Sequence, residues 1–262
     1  MGQHFQRAAL LYDQRRYDLA EEEIRRELAE EPQNASAHVL LALCLTAREK
    51  FDEATGEAGT AIHLAPDDPM SHYAMGRVMF DRGRLEEAAA AAGEAARLDP
   101  EDADYWSLLA QVRYQERRWP ATLEAAERGL TMDAEHVACN NLRAMALIKL
   151  GRRQEAGATL DAALARDPED ALSHANRGWT LLEQSEPRKA MDHFREALRL
   201  DPTLDWAQAG IVEALKARHF VYRGMLRYFL WMAKLSGKAQ WGVVIGAYLV
   251  YQLLRSLARS NP

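Results

Sequence analysis

The chain has 262 residues with 33 Lys and Arg against 39 Asp and Glu, so its formal net charge is −6. That balance argues against broad binding to nucleic acid. Leu and Ala dominate and no long stretch is rich in Val, Ile and Thr, which favours an all-helical fold over a sheet.

The N-terminal end has no basic region followed by an apolar run, so no signal peptide is predicted. The two cysteines, Cys44 and Cys139, lie far apart along the chain, and no bridge between them is expected. Two unpaired thiols suit a reducing compartment.

Proline punctuates the first 202 residues at a fixed interval. Five prolines lie at multiples of 34 residues from one another: Pro32, Pro66, Pro100, Pro168 and Pro202. The missing member of the series is Ala134. Proline has no N–H to donate inside a helix, so a proline this regular is expected to close one helical hairpin before the next begins. The spacing therefore predicts an internal repeat.

Small residues recur in the same register. With Pro32 as position 32 of a unit that starts at residue 1, the later units start at residues 35, 69, 103, 137 and 171. Position 8 is Ala or Gly in all six units, and position 20 is Ala in all but the fourth, where it is Thr122. Small residues at these positions allow two helices to approach closely. Position 27 is small except for Glu27, which predicts a more solvated outer face for the first unit.

This pattern resembles the tetratricopeptide-repeat (TPR) family, whose 34-residue unit is helix A, a turn and helix B, with small residues at positions 8, 20 and 27 and Pro at 32. The resemblance covers residues 3–202 as six TPR units. It implies an all-α fold, a right-handed superhelix or α-solenoid with a concave inner wall. Residues 203–217 start a seventh unit and have the place of a solvating cap helix. Residues 218–262 are predicted to be a separate C-terminal segment with amphipathic and apolar helices.

The resemblance also implies a binding groove, because helix A positions 2, 5, 9, 12 and 13 of the family face the concave wall. The predicted groove residues are Phe5, Tyr12, Val39, Leu43, Tyr73, Arg77, Phe80, Gln111, Tyr114, Asn141, Met145, Ile148, Lys149, Trp179 and Leu182. An aromatic and aliphatic wall of this kind is expected to bind a peptide or an amphipathic helix of another protein. The alternative is that individual side chains only pack against neighbouring helices. The Lys and Asn clamp of one TPR subclass is absent, so no capture of a C-terminal carboxylate is predicted.

No constellation predicts catalysis, a metal or a cofactor. Four histidines share position 4, namely His4, His38, His72 and His174. Equivalent residues of stacked helical units lie on the order of 10 Å apart, whereas zinc ligands lie about 2 Å from the ion, so packing is the better interpretation. Motifs for nucleophilic catalysis, phosphate binding and dinucleotide binding are absent, and the chain is not expected to be an enzyme.

The charge changes sign towards the C-terminus. All 39 acidic residues lie at or before Glu213, so the first 213 residues carry a net charge of −14. Residues 214–262 carry eight basic residues and no acidic one. The apolar run at 241–251 is shorter than the roughly 20 residues that a bilayer span needs. The difference in charge between residues 1–213 and residues 214–262 predicts a separate surface-binding segment.

The C-terminal segment is predicted to contact a membrane surface or a partner, because a basic, aromatic, amphipathic helix can lie at an anionic interface. The residues expected to do so are Arg223, Arg227, Lys234, Phe229, Trp231 and Trp241. The alternative is that the segment caps the solenoid and buries its apolar side there. The segment also resembles a group of bacterial TPR proteins of unknown function, in which similar sequence leads into membrane-spanning helices. That resemblance implies a cytoplasmic solenoid at the inner face of the bacterial cytoplasmic membrane.

The leading hypothesis for function is therefore a membrane-proximal scaffold or adaptor that holds another protein in its concave groove. A second hypothesis is a self-assembling structural protein whose C-terminal segment mediates oligomerisation.

Overall fold

The computed structural model describes residues 2–218, which form thirteen α-helices and no strand. The helices are α1 (Gln3–Asp13), α2 (Tyr17–Glu30), α3 (Ala35–Ala47), α4 (Phe51–Leu64), α5 (Pro69–Asp81), α6 (Leu85–Leu98), α7 (Ala103–Gln115), α8 (Trp119–Met132), α9 (Val137–Lys149), α10 (Arg153–Arg166), α11 (Ala171–Glu183), α12 (Pro187–Leu200) and α13 (Asp205–Arg218). The first twelve form six hairpins of helix A and helix B. Each hairpin stacks on the next, and successive A helices also touch, so the chain forms a superhelical α-solenoid. The predicted all-α fold is confirmed.

The turn between helix A and helix B has the same backbone conformation in all six hairpins. The residue at position 15 has a positive φ, between 58° and 78°, whether it is glycine or not. The residues are Arg15, Glu49, Gly83, Arg117, Gly151 and Ser185. The next N–H then donates to the carbonyl of position 11, as from Lys50 to Leu45 at 2.9 Å. This Schellman arrangement satisfies carbonyls that the end of helix A would otherwise leave unpaired.

The junction between one unit and the next is fixed by two side chains. In the first five units position 34 caps the following helix A, as when the Asp68 carboxylate accepts a hydrogen bond from the Ser71 N–H at 2.9 Å. In the fourth unit, where Ala134 breaks the proline series, the His136 ring accepts from the Cys139 N–H instead. Hence the proline is not required for the junction.

Position 4 supplies the second side chain, which reaches back to the carbonyl of position 32. The pairs are His38 with Pro32 (3.0 Å), His72 with Pro66 (2.8 Å), Trp106 with Pro100 (2.8 Å), Asn140 with Ala134 (3.2 Å), His174 with Pro168 (3.0 Å) and Gln208 with Pro202 (3.0 Å). Imidazole, indole and amide groups all provide the N–H that this carbonyl needs. The position 4 rings are therefore hydrogen-bonding elements of the unit junction as well as packing elements.

The small residues at positions 8 and 20 lie at the centre of each hairpin and are buried in all six. The expectation for Glu27 is wrong, because its side chain is only 1% exposed. Its carboxylate accepts hydrogen bonds from the Gly2 N–H at 3.0 Å and the Phe5 N–H at 3.1 Å. No side chain of α1 itself caps its N-terminus, so a carboxylate from α2 supplies the acceptors and complements the helix dipole.

The two cysteines are free and fully buried in separate hairpins. Burial raises the pKa of the Cys44 thiol and of the Cys139 thiol to about 12.

The last described helix, α13, continues the register as helix A of a seventh unit. Its inner side buries Ala207, Gly210 and Ala214. Its exposed residues include the apolar Val212 and Leu215 as well as the polar Gln208 and Glu213.

Candidate functional site: the concave groove

The N-terminal end of the predicted groove contains an apolar cavity of about 340 Å³. It is lined by Phe5, Ala9, Tyr12 and Asp13 of α1, Ser36, Val39, Leu40 and Leu43 of α3, and Asp68 and Met70 at the start of α5. The sequence placed Phe5, Tyr12, Val39 and Leu43 on the concave wall, and the structure brings these four side chains around one cavity. Three successive A helices supply its walls, so the cavity exists only because the units stack.

The rim of the cavity carries negative charge. The Asp13 side chain is exposed, and none of the described residues forms an ion pair with it. The Asp68 carboxylate is partly committed to the Ser71 N–H and hydroxyl. Met70 is exposed beside Asp68 and extends the apolar surface outwards. A ligand in this cavity therefore meets an apolar floor with carboxylates at the edge.

Aromatic side chains of the first and third units continue the wall. Burial, followed by the nearby Tyr17, Cys44 and Tyr73 side chains, raises the pKa of Tyr12 to about 12. Tyr73 packs against Tyr105 with ring centroids 5.6 Å apart, and burial also raises the pKa of Tyr73. These phenols remain protonated at neutral pH and act as apolar surfaces with a hydrogen-bonding tip.

The centre of the groove also holds a cation. The Arg77 guanidinium lies 5.9 Å from the centre of the Phe80 ring and donates to the Asp81 carboxylate at 3.2 Å. The pairing with Asp81 partly neutralises this charge and fixes the side chain along the wall.

The C-terminal half of the wall is built around tryptophans. Tyr114 packs on Trp119 at 5.1 Å, and the Lys149 ammonium lies 6.0 Å from the centre of the same indole. Trp179 stacks on Trp206 at 4.7 Å and donates its indole N–H to the Trp206 carbonyl at 3.1 Å.

Trp206 was not predicted, although its side chain is 36% exposed at this end of the wall. It occupies position 2 of the seventh unit, so carrying the groove register one unit further would have identified it.

Two predicted groove residues lie below the surface. Val39 is 4% exposed and forms part of the floor beneath Leu43, while Asn141 is 1% exposed. The side-chain oxygen Oδ1 of Asn141 accepts hydrogen bonds from the side-chain amide of Asn176 at 2.9 Å and from the Ser173 hydroxyl at 3.3 Å. Its amide is thus committed to the packing of the fifth unit on the sixth.

The other predicted groove residues keep part of their surface accessible. Lys149 is exposed, and the half-buried residues are Phe5, Tyr12, Leu43, Tyr73, Arg77, Phe80, Gln111, Tyr114, Met145, Ile148, Trp179 and Leu182. The predicted tail residues Arg223, Arg227, Phe229, Trp231, Lys234 and Trp241 lie outside the described residues.

A histidine pair lies away from this wall. The Nδ1 atoms of His174 and His193 are 3.1 Å apart, and burial, then His174 and Arg177, lower the pKa of His193. In the described part of the chain, no three or more His, Cys, Asp or Glu side chains form a group that could hold a metal ion. Across residues 2–218, no helix combines the length and apolar character needed to cross a membrane.

Comparison with known families identifies the repeat. One tetratricopeptide-repeat model matches residues 5–69 and 141–205, and a second matches residues 50–112. A search of curated proteins found no match.

Solved structures with the same fold are similar at low sequence identity. PilF of Pseudomonas aeruginosa is 20% identical with a TM-score of 0.66, over 80% of this chain and 96% of PilF. YrrB, described as a TPR protein with an unusual peptide-binding site, is 20% identical with a TM-score of 0.53, over 71% of this chain and 96% of YrrB. Yeast Tom70 is 16% identical with a TM-score of 0.62, over 76% of this chain and 43% of Tom70.

Proposed function

The chain belongs to the tetratricopeptide-repeat family, a fold that suggests a protein-interaction scaffold, and from that premise we propose that its concave groove captures a peptide or helix of another protein. The cavity beneath Phe5, Tyr12 and Leu43 is the observation that carries this proposal. Its volume of about 340 Å³ lies at the small end of the range for ligand pockets. That space accommodates one large apolar side chain of a bound segment.

The charge around the cavity supports a particular kind of segment. Asp13 and Asp68 lie at the rim, and the first 213 residues carry a net charge of −14. A segment with Lys or Arg next to its apolar anchor complements this rim and is steered towards the solenoid by long-range attraction. The description of YrrB as a peptide-binding TPR protein is consistent with such a use of the fold.

Peptide display on phage tests the proposal without a known partner. We expect random peptides selected on the full chain to be enriched in a large apolar residue adjacent to Lys or Arg. Leu43→Asp places a charge in the cavity and is expected to reduce binding of the selected peptides at least tenfold.

The matched control is Leu10→Asp, which makes the same chemical change at an exposed position of α1 that does not line the cavity. Selected peptides that bind Leu43→Asp as tightly as the unmodified chain would exclude the cavity as the binding site. The double variant Tyr73→Ala with Tyr114→Ala tests the rest of the wall and is expected to weaken binding while helicity is retained.

The proposed location is the cytoplasmic face of a bacterial cytoplasmic membrane. The acid-free segment 214–262, with eight basic residues and clustered aromatics, supports this. Co-sedimentation with vesicles is expected to require anionic lipid and to weaken as salt is raised. Equal sedimentation with neutral vesicles would contradict it.

The charge asymmetry also favours a second candidate, self-association of the basic C-terminal segment with the acidic solenoid of another copy. Light scattering on the full chain and on a version ending at Ala217 tests whether the C-terminal segment mediates this association. An unchanged oligomeric mass after truncation would exclude association through the segment.

A further inference from the structure

The hairpin of the sixth unit brings two imidazole rings together. His174 lies at position 4, on α11, and His193 lies at position 23, on α12. Their Nδ1 atoms are 3.1 Å apart, and their ring centroids are 5.3 Å apart. Two nitrogens that each lie about 2.0–2.1 Å from one ion at a tetrahedral angle are roughly 3.3 Å apart. The two rings therefore have nearly the spacing of ligands to a single metal ion.

This pair is particular to the sixth unit. The distance between stacked units excludes an ion shared by position 4 rings, but it does not apply within one hairpin. Position 23 is a carboxylate in the first two units, where His4 contacts Glu23 and His38 contacts Glu57. In the next three units it is Ala or Thr. Among the six hairpins, only the sixth has imidazoles at both positions.

The outer nitrogen of His174 is held in the way that metal-binding histidines are held. Its Nε2 donates to the Pro168 carbonyl at 3.0 Å, so the lone pair of Nδ1 is directed at His193. Metal-bound histidines usually donate their second N–H to such a carbonyl, which fixes the ring. Burial, then His174 and Arg177, lower the pKa of His193, and a neutral imidazole is the form that binds metal. The proton on Nδ1 of His193 moves to Nε2 when Nδ1 binds the ion.

The charges around the pair do not oppose a cation. The Arg177 guanidinium donates two hydrogen bonds to the Asp161 carboxylate, at 2.6 and 2.9 Å, which neutralises its charge. Asp161 and Asp192 both favour positive charge at His193. In residues 2–218 no third His, Cys, Asp or Glu joins the pair. Both rings are half-buried, so water can reach the remaining coordination positions.

We propose that His174 and His193 form a two-histidine site for a divalent transition-metal ion of the Zn²⁺ type, with water as the other ligands. Imidazole nitrogen favours Zn²⁺, Ni²⁺ and Cu²⁺, whereas Mg²⁺ and Ca²⁺ prefer oxygen ligands. The ion joins α11 to α12 in the unit that carries Trp179, whose ring packs on Phe194 with centroids 5.7 Å apart. The site does not depend on what the groove binds. A hydrogen bond between the rings without any metal is the competing explanation.

Calorimetric titration of the full chain with Zn²⁺ tests the site. We expect saturable binding, a melting temperature that rises with Zn²⁺ and falls again on adding a chelator, and no response to Mg²⁺. His174→Gln should abolish the saturable binding and keep the fold, because Gln208 at position 4 of the seventh unit donates to the Pro202 carbonyl at 3.0 Å. His193→Gln should abolish it as well, and circular dichroism checks both folds.

The control variant is His63→Gln, which removes an exposed imidazole of α4 and should bind Zn²⁺ as the unmodified chain does. Nitrogen NMR of the imidazoles in the full chain identifies the ligand atoms. We expect Zn²⁺ to shift Nδ1 of His174 and of His193 more than Nε2 of His174. Absence of saturable Zn²⁺ binding, or binding that both glutamine variants at the pair retain, would overturn the proposal and leave only the hydrogen bond.

A gain-of-function variant tests the geometry in a second hairpin. Glu57→His places imidazoles at positions 4 and 23 of the second unit, where Nε2 of His38 already meets the Pro32 carbonyl at 3.0 Å. We expect this variant to bind one more Zn²⁺ per chain than the unmodified protein. An unchanged stoichiometry in a folded Glu57→His variant would contradict the assignment of these two register positions as a chelating pair.

Discussion

His174 and His193 form a pair whose stability depends on pH. His174 donates from Nε2 to the Pro168 carbonyl at 3.0 Å, so its Nδ1 is the acceptor for the N–H of His193 Nδ1. Burial, then His174 and Arg177, lower the pKa of His193, while Asp161 and Asp192 oppose them. In the unfolded chain His193 has its ordinary pKa of about 6.5, so as pH falls the unfolded chain takes up this proton at a higher pH than the folded chain does. The contribution of this pair is therefore complete above that pH and is lost as pH falls through the lowered pKa.

Replacing His193 tests this dependence. In the first unit the residue nineteen positions after the ring is a carboxylate, and His4 Nδ1 lies 2.7 Å from the Glu23 carboxylate. His193→Glu is expected to reproduce that contact, to stabilise the protein by about 0.5 kcal/mol, and to remove the loss of stability that protonation of His193 causes at low pH. Melting temperatures between pH 5 and 8 measure this change. His193→Gln, which cannot titrate, should also lack that loss; a pH dependence equal to that of the unmodified chain would exclude His193 as the source.

Glu27 is a second single residue whose replacement is expected to change stability. Glu27→Ala restores the small residue typical of position 27 but leaves the Gly2 and Phe5 N–H groups without their acceptor. We expect a loss of roughly 1–2 kcal/mol in the free energy of unfolding, measured by chemical denaturation. Glu22→Ala, at an exposed position of the same helix, is expected to change stability by less than about 0.5 kcal/mol. Equal losses in the two variants would show that the carboxylate does not stabilise α1.

These residues also show why sequence alone misplaced some side chains. A charged residue at a register position for small residues indicated exposure, and only the geometry of α1 and α2 shows that Glu27 meets two unpaired N–H groups. Asn141 was predicted from its position on helix A, but its burial depends on Asn176 and Ser173 of the next unit. Such contacts join residues more than thirty positions apart, and the repeat pattern does not record them.

At the scale of one element, the turn after helix A requires a left-handed backbone conformation at position 15. Glycine occupies that position in only two of the six turns, at Gly83 and Gly151. Other residues cost on the order of 1 kcal/mol in this conformation.

Two alanine substitutions with the same chemistry are expected to have opposite effects. A Cβ would meet nothing within 4 Å at either Gly83, in the turn, or Gly59, inside α4. Gly83→Ala should lower the free energy of unfolding by about 1 kcal/mol, whereas Gly59→Ala should raise it by roughly 0.5–1 kcal/mol. Glu49→Gly should stabilise the second turn. Thermal melts of the three variants measure this, and a loss of stability in Gly59→Ala would refute the backbone explanation.

The helices themselves were predictable, whereas the turn conformation was not. The proline series and the small residues fix the register, and the observed helix starts after the first unit repeat at that spacing. Position 15 is Arg, Glu, Gly or Ser, so no residue type marks the left-handed turn. The backbone requirement is shared by all six turns although the sequence is not.

For the whole molecule, stacking makes stability a sum of contacts between neighbouring units. Deletion of residues 69–102 removes one unit and joins position 34 to position 1 of the next. The shortened chain is expected to keep its helicity per residue and a cooperative melt, with a melting temperature several degrees lower. Deletion of residues 69–84 removes α5 and its turn only, and should abolish cooperative melting. Circular dichroism measures both melts. Similar melts for the two deletions would show that the 34-residue unit is not the folding element.

The groove was predictable only in part at this scale. The family register located its wall, but the cavity at Phe5, Tyr12 and Leu43 depends on how three A helices are rotated relative to one another. The tryptophan stack at Trp179 likewise requires the α11–α13 contact. Both features arise from superhelical geometry, which a single unit does not determine.

The buried thiols make the solenoid suitable for optical measurement of its shape. Thiolate is the form that reacts with alkylating dyes, and Cys44 and Cys139, each with a pKa of about 12 and no exposed surface, present almost none of it at neutral pH. Dyes can therefore be attached selectively to cysteines introduced at the two ends of the superhelix while the native pair stays in place. Energy transfer between such dyes would report whether the coil tightens or opens when its inner wall is occupied.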